Sequence, residues 1–349
     1  MCCIVYSLQA QIIEGKVYDA RTRERVPGVV VYLDGTSNIT TSDKDGNFKL
    51  TTEKALNTTL VFSHLSYELL TVENPYEHHE KAFFLQEKVS TISEAKVVAD
   101  RYTRQEKMMV FINEFLGNST AGKSCIIAND ADIVLNYDSD TYTLSAYALR
   151  PVIIENRYLA YRITFDLQDF RVQYTENTLN MSKATSVFFK WSSFFIDQSP
   201  YNMMFTKRRE TIYLRSSQYF FKNLCLNTLE ETDFRIFNRF RRVQRDQYFI
   251  VADATPYKRV VIIPDTDINR RYPRVDKGTL FGVIAVTCSN RFRSDIAFLT
   301  NRFSVDDFGN IDAVDKVVFF GDMGNQRLGD MLPMDFVGVN QFSPPLPSK

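Results

Sequence analysis

The sequence has very few of the residues from which hydrolytic metal sites are built. Histidine occurs only three times, as His64, His78 and His79, and none follows residue 100. A zinc carboxypeptidase needs two histidines and a glutamate around an open metal position, which the later part of the chain cannot supply. A Gly-x-Ser-x-Gly elbow, a phosphate-binding loop and a dinucleotide fingerprint are also absent from the sequence. We therefore predict no catalytic residues, no metal and no cofactor.

Cysteine is sparse and poorly arranged for crosslinking. Cys125, Cys225 and Cys288 lie far apart in apolar surroundings, and no Cys-x-x-Cys pair occurs. These spacings exclude a disulfide framework and a zinc knuckle. We expect buried, unreactive thiols, and an intramolecular disulfide is open only if the chain is exported.

The sequence also has no net charge and no long apolar runs. Lys+Arg and Asp+Glu number 42 each, so no global field draws the chain to nucleic acid or to an anionic membrane. No run reaches the roughly 18 apolar residues that a spanning helix requires. We predict neither a nucleic-acid partner nor a transmembrane helix.

Strand patterns dominate residues 11–99. Period-2 alternation is separated by turn residues, and Asp45-Gly46 between alternating segments predicts a hairpin over Thr40–Leu50. The segment from Asp43 to Asn47 also resembles the start of a twelve-residue calcium-binding loop. The twelfth residue from Asp43 is Lys54 instead of the glutamate that such a loop requires, so we favour a plain turn over a metal site. The pattern predicts an antiparallel β-sandwich. Its further strands are expected at Val17–Leu33 (two strands), Leu60–Leu65, Ala82–Leu85 and Ile92–Val98.

This pattern resembles the carboxypeptidase regulatory-like domain, a transthyretin-like sandwich that bacteria attach to many unrelated envelope proteins. The resemblance implies a docking or spacing module and fixes no chemistry. Before it, Cys2 to Ala10 looks like the end of a signal peptide with a small-residue cleavage position, without its basic region. We expect residues 1–10 to be such a remnant and the protein to be exported, periplasmic or outer-membrane associated. A short N-terminal strand and a lipidated cysteine are the alternatives.

Residues 100–340 predict an α+β partner domain with antiparallel strands and two main helices, and residues 341–349 form a Pro-rich tail. Apolar residues between Lys107 and Leu116 recur with amphipathic helical spacing, and Gly117 ends that helix. Met204–Leu226 is the second predicted helix. The predicted strands are Thr141–Leu149, Tyr158–Leu167, Val187–Trp191, Phe234–Val243, Tyr248–Val251, Arg259–Ile263, Leu280–Cys288 and Lys316–Phe320.

The whole chain also resembles an uncharacterised family of secreted Gram-negative proteins. Five motifs carry this resemblance: Lys107-Met-Met to Gly117, Cys125-x-Ile-x-Asn129-x-x-x-Ile, Asn136-Tyr-Asp138, Leu159-x-Tyr161 and Gly321-x-Met-Gly to Pro333. The resemblance implies an architecture and no activity. The family pattern has a histidine in the central helix where this chain has Tyr219, which removes a potential base or ligand.

Three residues are candidates for ligand contact: Asp322, Arg327 and Trp191. The glycines around Asp322 permit a tight backbone, and Arg327 can form a two-pronged contact with a carboxylate of the protein or of a ligand. Trp191 can be a core residue or a platform for a sugar ring. For Arg327 and Trp191 we favour the structural interpretation.

Two further segments are rich in charged residues. The arginines between Arg235 and Arg245 alternate with phenylalanines, and we favour a solvated or salt-bridged face over a phosphate site. Carboxylates between Asp306 and Asp322 could serve glycoside hydrolysis only if two of them face each other across a cleft. The sequence thus predicts a non-enzymatic envelope protein that binds an envelope protein or a glycan. A carbohydrate-binding protein and a glycan hydrolase are the alternatives, and the oligomeric state is open.

Overall fold

The structure is a computed structural model that describes residues 10–88, 101–265, 267–272, 279–289 and 291–338. The described residues are β-rich, and their strands form five sheets in which one strand pairing is parallel and the others are antiparallel. The predicted fold class, a β-sandwich followed by an α+β region, is confirmed. No helix in these residues is long and apolar enough to cross a membrane.

The N-terminal sandwich has a three-stranded sheet, β4-β1-β7, facing a four-stranded sheet, β3-β2-β5-β6. Alternate residues of both sheets point inward and form one apolar core, as the period-2 pattern requires. The pairing of β1 with β7 is parallel, which the sequence did not indicate. The strands are β1 (Gln11–Asp19), β2 (Val30–Leu33), β3 (Ile39–Thr41), β4 (Asn47–Thr52), β5 (Leu60–His64), β6 (Tyr67–Val72) and β7 (Ala82–Leu85).

The predicted hairpin at Asp45-Gly46 is wrong, although the tight turn itself is present. β3 pairs with β2 and β4 pairs with β1, so the turn carries the chain from one sheet to the other. The Asp43 carboxylate accepts hydrogen bonds from the backbone N–H groups of Asp45 and Asn47 at 2.8 and 2.9 Å. The sequence pattern fixes a turn but not which sheet receives the next strand. The predicted strand Ile92–Val98 lies outside the described residues.

A six-stranded antiparallel sheet follows and is organised by one long strand. Its members are β8 (Cys125–Ile127), β9 (Ile133–Asp138), β10 (Thr143–Ala148), β11 (Val152–Asn156), β12 (Tyr161–Tyr174) and β13 (Ala184–Asp197). β13 pairs along the whole of β12, while β11 and β10 pair with successive halves of its other edge. Helix α1 (Arg104–Phe115) packs Phe111 and Phe115 against Phe170 and Phe165.

Helix α1 begins and ends as its sequence dictates. Thr103 and Glu106 form a capping box, and Gly117 follows the helix with a φ of +87°. The single helix predicted over Met204–Leu226 is instead two helices, α3 (Met203–Tyr213) and α4 (Ser217–Leu226). The break occurs because the Ser216 hydroxyl accepts the N–H of Tyr219 and starts a new helix. A short helix, α2 (Thr120–Lys123), follows α1.

The last part of the chain has its own apolar core, to which α4 and the strands of two sheets contribute. One sheet has the order β15-β14-β18-β19-β21 and the other β16-β17-β20. Strands β19 and β20 lie in segments where the sequence predicted none. The elements are β14 (Phe234–Asn238), β15 (Arg241–Val243), β16 (Phe249–Ala254), β17 (Tyr257–Ile262), α5 (Ile268–Arg271), β18 (Gly282–Cys288), β19 (Phe292–Phe298), β20 (Arg302–Val305) and β21 (Val317–Gly321).

Substitutions of two glycines with similar φ values test how the turn at Gly46 packs in the sandwich. Gly28 and Gly46 have φ values of +73° and +72°, but a Cβ on Gly28 would touch nothing within 4 Å, whereas one on Gly46 would lie 2.8 Å from the Val17 carbonyl oxygen. We expect Gly28→Ala to lower the free energy of unfolding by about 1 kcal/mol through backbone strain alone. Gly46→Ala should cost a further ~1–3 kcal/mol from overpacking.

The measurement is thermal unfolding of the full chain, with hydrogen exchange of the β1 and β4 amides. Gly46→Ala should raise exchange in β1 and β4 well above the Gly28→Ala level. Equal effects of the two variants would contradict the packing of this turn against β1.

Candidate functional site

The sandwich is joined to the six-stranded sheet through the loop that follows β2. Gly35 N–H donates to the Ser193 carbonyl oxygen at 2.7 Å, and Phe195 N–H donates to the Thr36 carbonyl oxygen at 2.9 Å. The Asp34 carboxylate accepts the Ser193 N–H at 2.7 Å. This loop therefore adds a short parallel bridge to the edge of β13.

A buried polar cluster lies beside this bridge. The Tyr32 hydroxyl, from the sandwich, donates to the Asp166 carboxylate at 2.6 Å and contacts the Ser192 hydroxyl at 2.9 Å. Ser63 donates to the other Asp166 oxygen at 3.2 Å. Burial raises the pKa of Asp166 and of Tyr32, and burial also raises the pKa of Asp34 to about 6.

A second contact joins the sandwich to the C-terminal core through Asp306, which is 2% exposed. One carboxylate oxygen accepts the backbone N–H groups of Phe308, Gly309 and Asn310, each at 2.9 Å. The other oxygen accepts the Asn57 N–H of the sandwich at 2.9 Å. Burial raises the pKa of Asp306, and these hydrogen bonds offset part of that effect.

A cavity of about 570 Å³ opens where the sandwich, the β12–β13 pair, α3 and the C-terminal segment meet. We call it the junction cavity. Its apolar and aromatic wall comprises Leu56, Tyr161, Pro200, Phe308, Pro333, Phe336 and Val337. Its polar wall comprises Ser37, Asn38, Thr52, Glu53, Lys54, Asp197, Thr206, Arg209 and Asp335.

Three charged groups of the junction cavity, Arg209, Asp197 and Asp335, are held in fixed positions. Both guanidinium Nη atoms of Arg209 donate to the Asp197 carboxylate, at 2.6 and 2.7 Å, and the guanidinium lies 4.0 Å from the centre of the Tyr161 ring. Asp335 accepts the Ser37 N–H at 2.9 Å and the Asn38 amide at 2.9 Å. Among the described residues the Tyr161 hydroxyl has no hydrogen-bond partner. Burial raises its pKa, and the nearby Asp335 adds to that rise, so the hydroxyl stays protonated.

The three residues proposed from the sequence lie in different places, and none lines the junction cavity. Trp191 is half-buried against the core of the six-stranded sheet and stacks on Phe165 at a centroid distance of 5.6 Å. Arg327 lies 3.8 Å from the Glu114 carboxylate of α1 and donates to two carbonyl oxygens of its own segment. Asp322 lines a separate cavity of about 240 Å³.

The glycine-rich C-terminal motif packs against the turn that follows α1. Gly329 N–H donates to the Leu116 carbonyl oxygen at 3.1 Å, and Asn156 donates to the Gly329 carbonyl oxygen at 2.9 Å. A Cβ on Gly329 would lie 2.3 Å from the Gly122 Cα. Two motifs far apart in the sequence thus meet through a backbone-to-backbone contact that only glycine permits.

Three carboxylates of the C-terminal region, those of Asp306, Asp307 and Asp312, have structural partners. Asp306 holds the loop described above, Asp307 pairs with Lys54 at 2.9 Å, and Asp312 accepts the Ser304 N–H at 2.8 Å. The arginine-rich segment is likewise salt-bridged, with Arg239 on Asp267 and Arg242 on Glu230. In the described part of the chain, no group of three His, Cys, Asp or Glu side chains is arranged to hold a metal ion.

The contact at Asp34 makes stability depend on pH. Because its pKa is about 6 in the folded protein and 3.8 ordinarily, the folded state keeps a proton that the unfolded chain releases between these values. The protonated Asp34 carboxyl makes its full contribution to the stability of the folded state below pH 3.8, and this contribution is lost as the pH rises through 6. We expect Asp34→Asn, whose amide oxygen still accepts the Ser193 N–H, to abolish this loss and to be more stable than wild type at pH 7.

The measurement is the melting temperature of both proteins between pH 4 and 7. Asp43→Asn is the control, and its effect on stability should have the opposite sign. Hydrogen bonds from Asn47 lower the pKa of Asp43, so the charged form of this carboxylate stabilises the folded state. That variant should lose stability at neutral pH. Parallel curves for wild type and Asp34→Asn would contradict the buried carboxyl at this contact.

Comparison with known proteins accounts for the sandwich. Residues 13–98 match the family described as the CarboxypepD_reg-like domain, in agreement with the strands and core found there. No curated protein matches the chain. A regulatory-like domain of this kind is not a catalytic carboxypeptidase domain. The N-terminal part of this chain is a CarboxypepD_reg-like domain, and the junction cavity lies on its boundary with the rest of the protein.

Proposed function

We propose that this protein is a non-enzymatic binding protein of the cell envelope whose ligand is carbohydrate, bound in the junction cavity. The observation that carries the proposal is the composition of that cavity, in which a CarboxypepD_reg-like sandwich supplies one wall and the later chain supplies the others. The sandwich thus serves as a docking module within its own chain. It completes a site that neither part contains alone.

The chemistry of the lining supports a hydroxyl-rich ligand. Carboxylates and an unpaired tyrosine hydroxyl are hydrogen-bond partners for sugar hydroxyls, and the rings of Tyr161, Phe308 and Phe336 offer apolar faces for a sugar ring. Arg209 is already committed to Asp197, so it contributes little free positive charge to the cavity. A neutral polyol suits such a lining better than an anion does.

The glycan-hydrolase alternative is less well supported. Glycoside hydrolysis needs one carboxylic acid and one carboxylate free to act on the two sides of the scissile bond. In the junction cavity both oxygens of Asp197 accept Arg209. One oxygen of Asp335 accepts the Ser37 N–H, and the other accepts the Ser37 hydroxyl and the Asn38 amide. Glu53 is the remaining carboxylate of the lining, so it faces no second carboxylate that is free. Asp197 and Asp335 therefore act as fixed hydrogen-bonding groups in our proposal.

Export is part of the proposal and rests on two features. Cys2 to Ala10 resembles the end of a signal peptide, and sandwiches that resemble this one are attached to many bacterial envelope proteins. A carbohydrate ligand agrees with that location, because glycans are the main polymers of the bacterial envelope.

Binding is tested by titration calorimetry of the full chain with a panel of neutral oligosaccharides. We expect at least one to bind, and Tyr161→Phe to weaken its affinity about fivefold to tenfold, because one hydrogen bond of about 1 kcal/mol is lost. Phe336→Ala should weaken binding further. Tyr147→Phe is the matched control, because this tyrosine is half exposed on β10, away from the cavity.

Two results would contradict the carbohydrate site. One is the absence of binding by every oligosaccharide at millimolar concentration, and the other is an affinity that Tyr161→Phe and Phe336→Ala leave unchanged. Cleavage of a bound oligosaccharide by the wild-type protein would replace the binding role by the hydrolase alternative.

Export is tested by fractionating cells that express the chain from its own gene and sequencing the N-terminus of the recovered protein. We expect recovery from the periplasmic or membrane fraction, with a mature N-terminus near Gln11. A cytosolic protein that retains residues 1–10 would reject this part of the proposal.

A further inference from the structure

The cavity that contains Asp322 is separate from the junction cavity and has different chemistry. Its volume is about 240 Å³, below the ~300–1,000 Å³ of pockets that hold drug-sized ligands. It lies between the α3–α4 junction, strands β14, β18 and β19, the start of α2 and the segment after β21. We call it the Arg215 cavity; its lining comprises Ser119, Ile212, Arg215, Phe234, Val286, Cys288, Phe292, Ser294, Asp322, Met323, Asn325, Gln326 and Asp330.

Arg215 is the one basic residue of this lining, and its guanidinium is held in a position where it can bind an anionic group. Its Nε donates to the Thr211 carbonyl oxygen at 2.9 Å, and its guanidinium lies 4.3 Å from the centre of the Phe292 ring. Within the described residues its two Nη atoms have no acceptor. A guanidinium fixed by stacking and by one hydrogen bond presents a rigid pair of donors, which matches a carboxylate.

Two carboxylates line the same cavity. Asp322 uses one oxygen to accept the Arg293 N–H at 2.6 Å, which leaves its other oxygen available. The Asp330 carboxylate has no hydrogen-bonding or ion-pair partner in the part of the chain that the structure describes. Two negative charges and one positive charge therefore border a small space.

The floor of the cavity is apolar and well ordered by packing. Phe234, Val286, Cys288 and Met323 are each less than 9% exposed. Burial raises the pKa of the Cys288 thiol, so that sulfur remains a neutral, weakly polar group. A ligand that fills this cavity therefore places an apolar group against the floor.

We propose that the Arg215 cavity binds a free α-amino acid with an apolar side chain. Arg215 takes the carboxylate, Asp322 and Asp330 take the ammonium group, and the floor takes the side chain. A carboxylic acid without an ammonium group would meet two like charges, and an amine without a carboxylate would leave Arg215 unpaired. The cavity volume limits the ligand to a single residue.

The first test compares three compounds on the full wild-type chain by calorimetry. Leucine carries both charged groups, 3-methylbutylamine lacks the carboxylate and 4-methylpentanoic acid lacks the amine. We expect leucine to bind at least tenfold more tightly than either partial analogue. Equal affinities for leucine and one analogue would overturn the zwitterion site, as would the absence of leucine binding at millimolar concentration.

The second test locates the site. Arg215→Gln should weaken leucine binding at least tenfold, and Asp330→Asn should weaken it several-fold. Arg208→Gln is the matched control, since Arg208 stacks on Tyr158 and donates to its carbonyl oxygen outside this cavity. Should Arg215→Gln fail to fold, Asp322→Asn gives the same information, because this exposed side chain keeps an acceptor for Arg293 N–H. Leucine affinity unchanged in Asp330→Asn and Asp322→Asn would overturn the proposal.

Discussion

Hydrogen bonds from backbone amides to buried or half-buried carboxylates hold the parts of this protein together. Asp306 accepts Asn57 of the sandwich, Asp335 accepts Ser37, and Asp34 of the sandwich accepts Ser193 in return. A carboxylate in a poorly hydrated contact is costly unless such donors surround it. If the sandwich were separated from the later chain, each of these carboxylates would lose a hydrogen-bond donor. The contacts therefore fix the relative position of the two parts.

This constraint explains why the junction cavity exists where it does. Ser37 and Asn38 hold Asp335, while Arg209 holds Asp197, and both carboxylates belong to the polar wall. The wall thus depends on residues from the sandwich, from β13 and from α3. The loops of the CarboxypepD_reg-like domain thus position charged groups of the later chain.

The glycine-rich C-terminal motif shows how a strong sequence signal can be structural. Gly321 to Pro333 combines glycines, carboxylates and an arginine, which are residues typical of ligand sites. In the structure, Gly329 meets Gly122 and Leu116 at the end of the α1–α2 turn, and Arg327 reaches Glu114 of α1. The glycines are needed for close backbone approach. Asp322, Met323, Asn325, Gln326 and Asp330 border the Arg215 cavity, and Pro333 borders the junction cavity.

The sequence alone determined the local structure: the alternation of the sandwich strands, the capping box of α1, the glycine that follows it and the turn at Asp43–Asn47. These features depend on residues close together in the chain. The tertiary structure decided that β3 and β4 enter different sheets, and that Arg215 and Asp322 line one cavity that Arg327 does not border. Strand partners and cavity walls are chosen by long-range packing and by the need to pair buried polar groups, and neither leaves a periodic signal in the sequence.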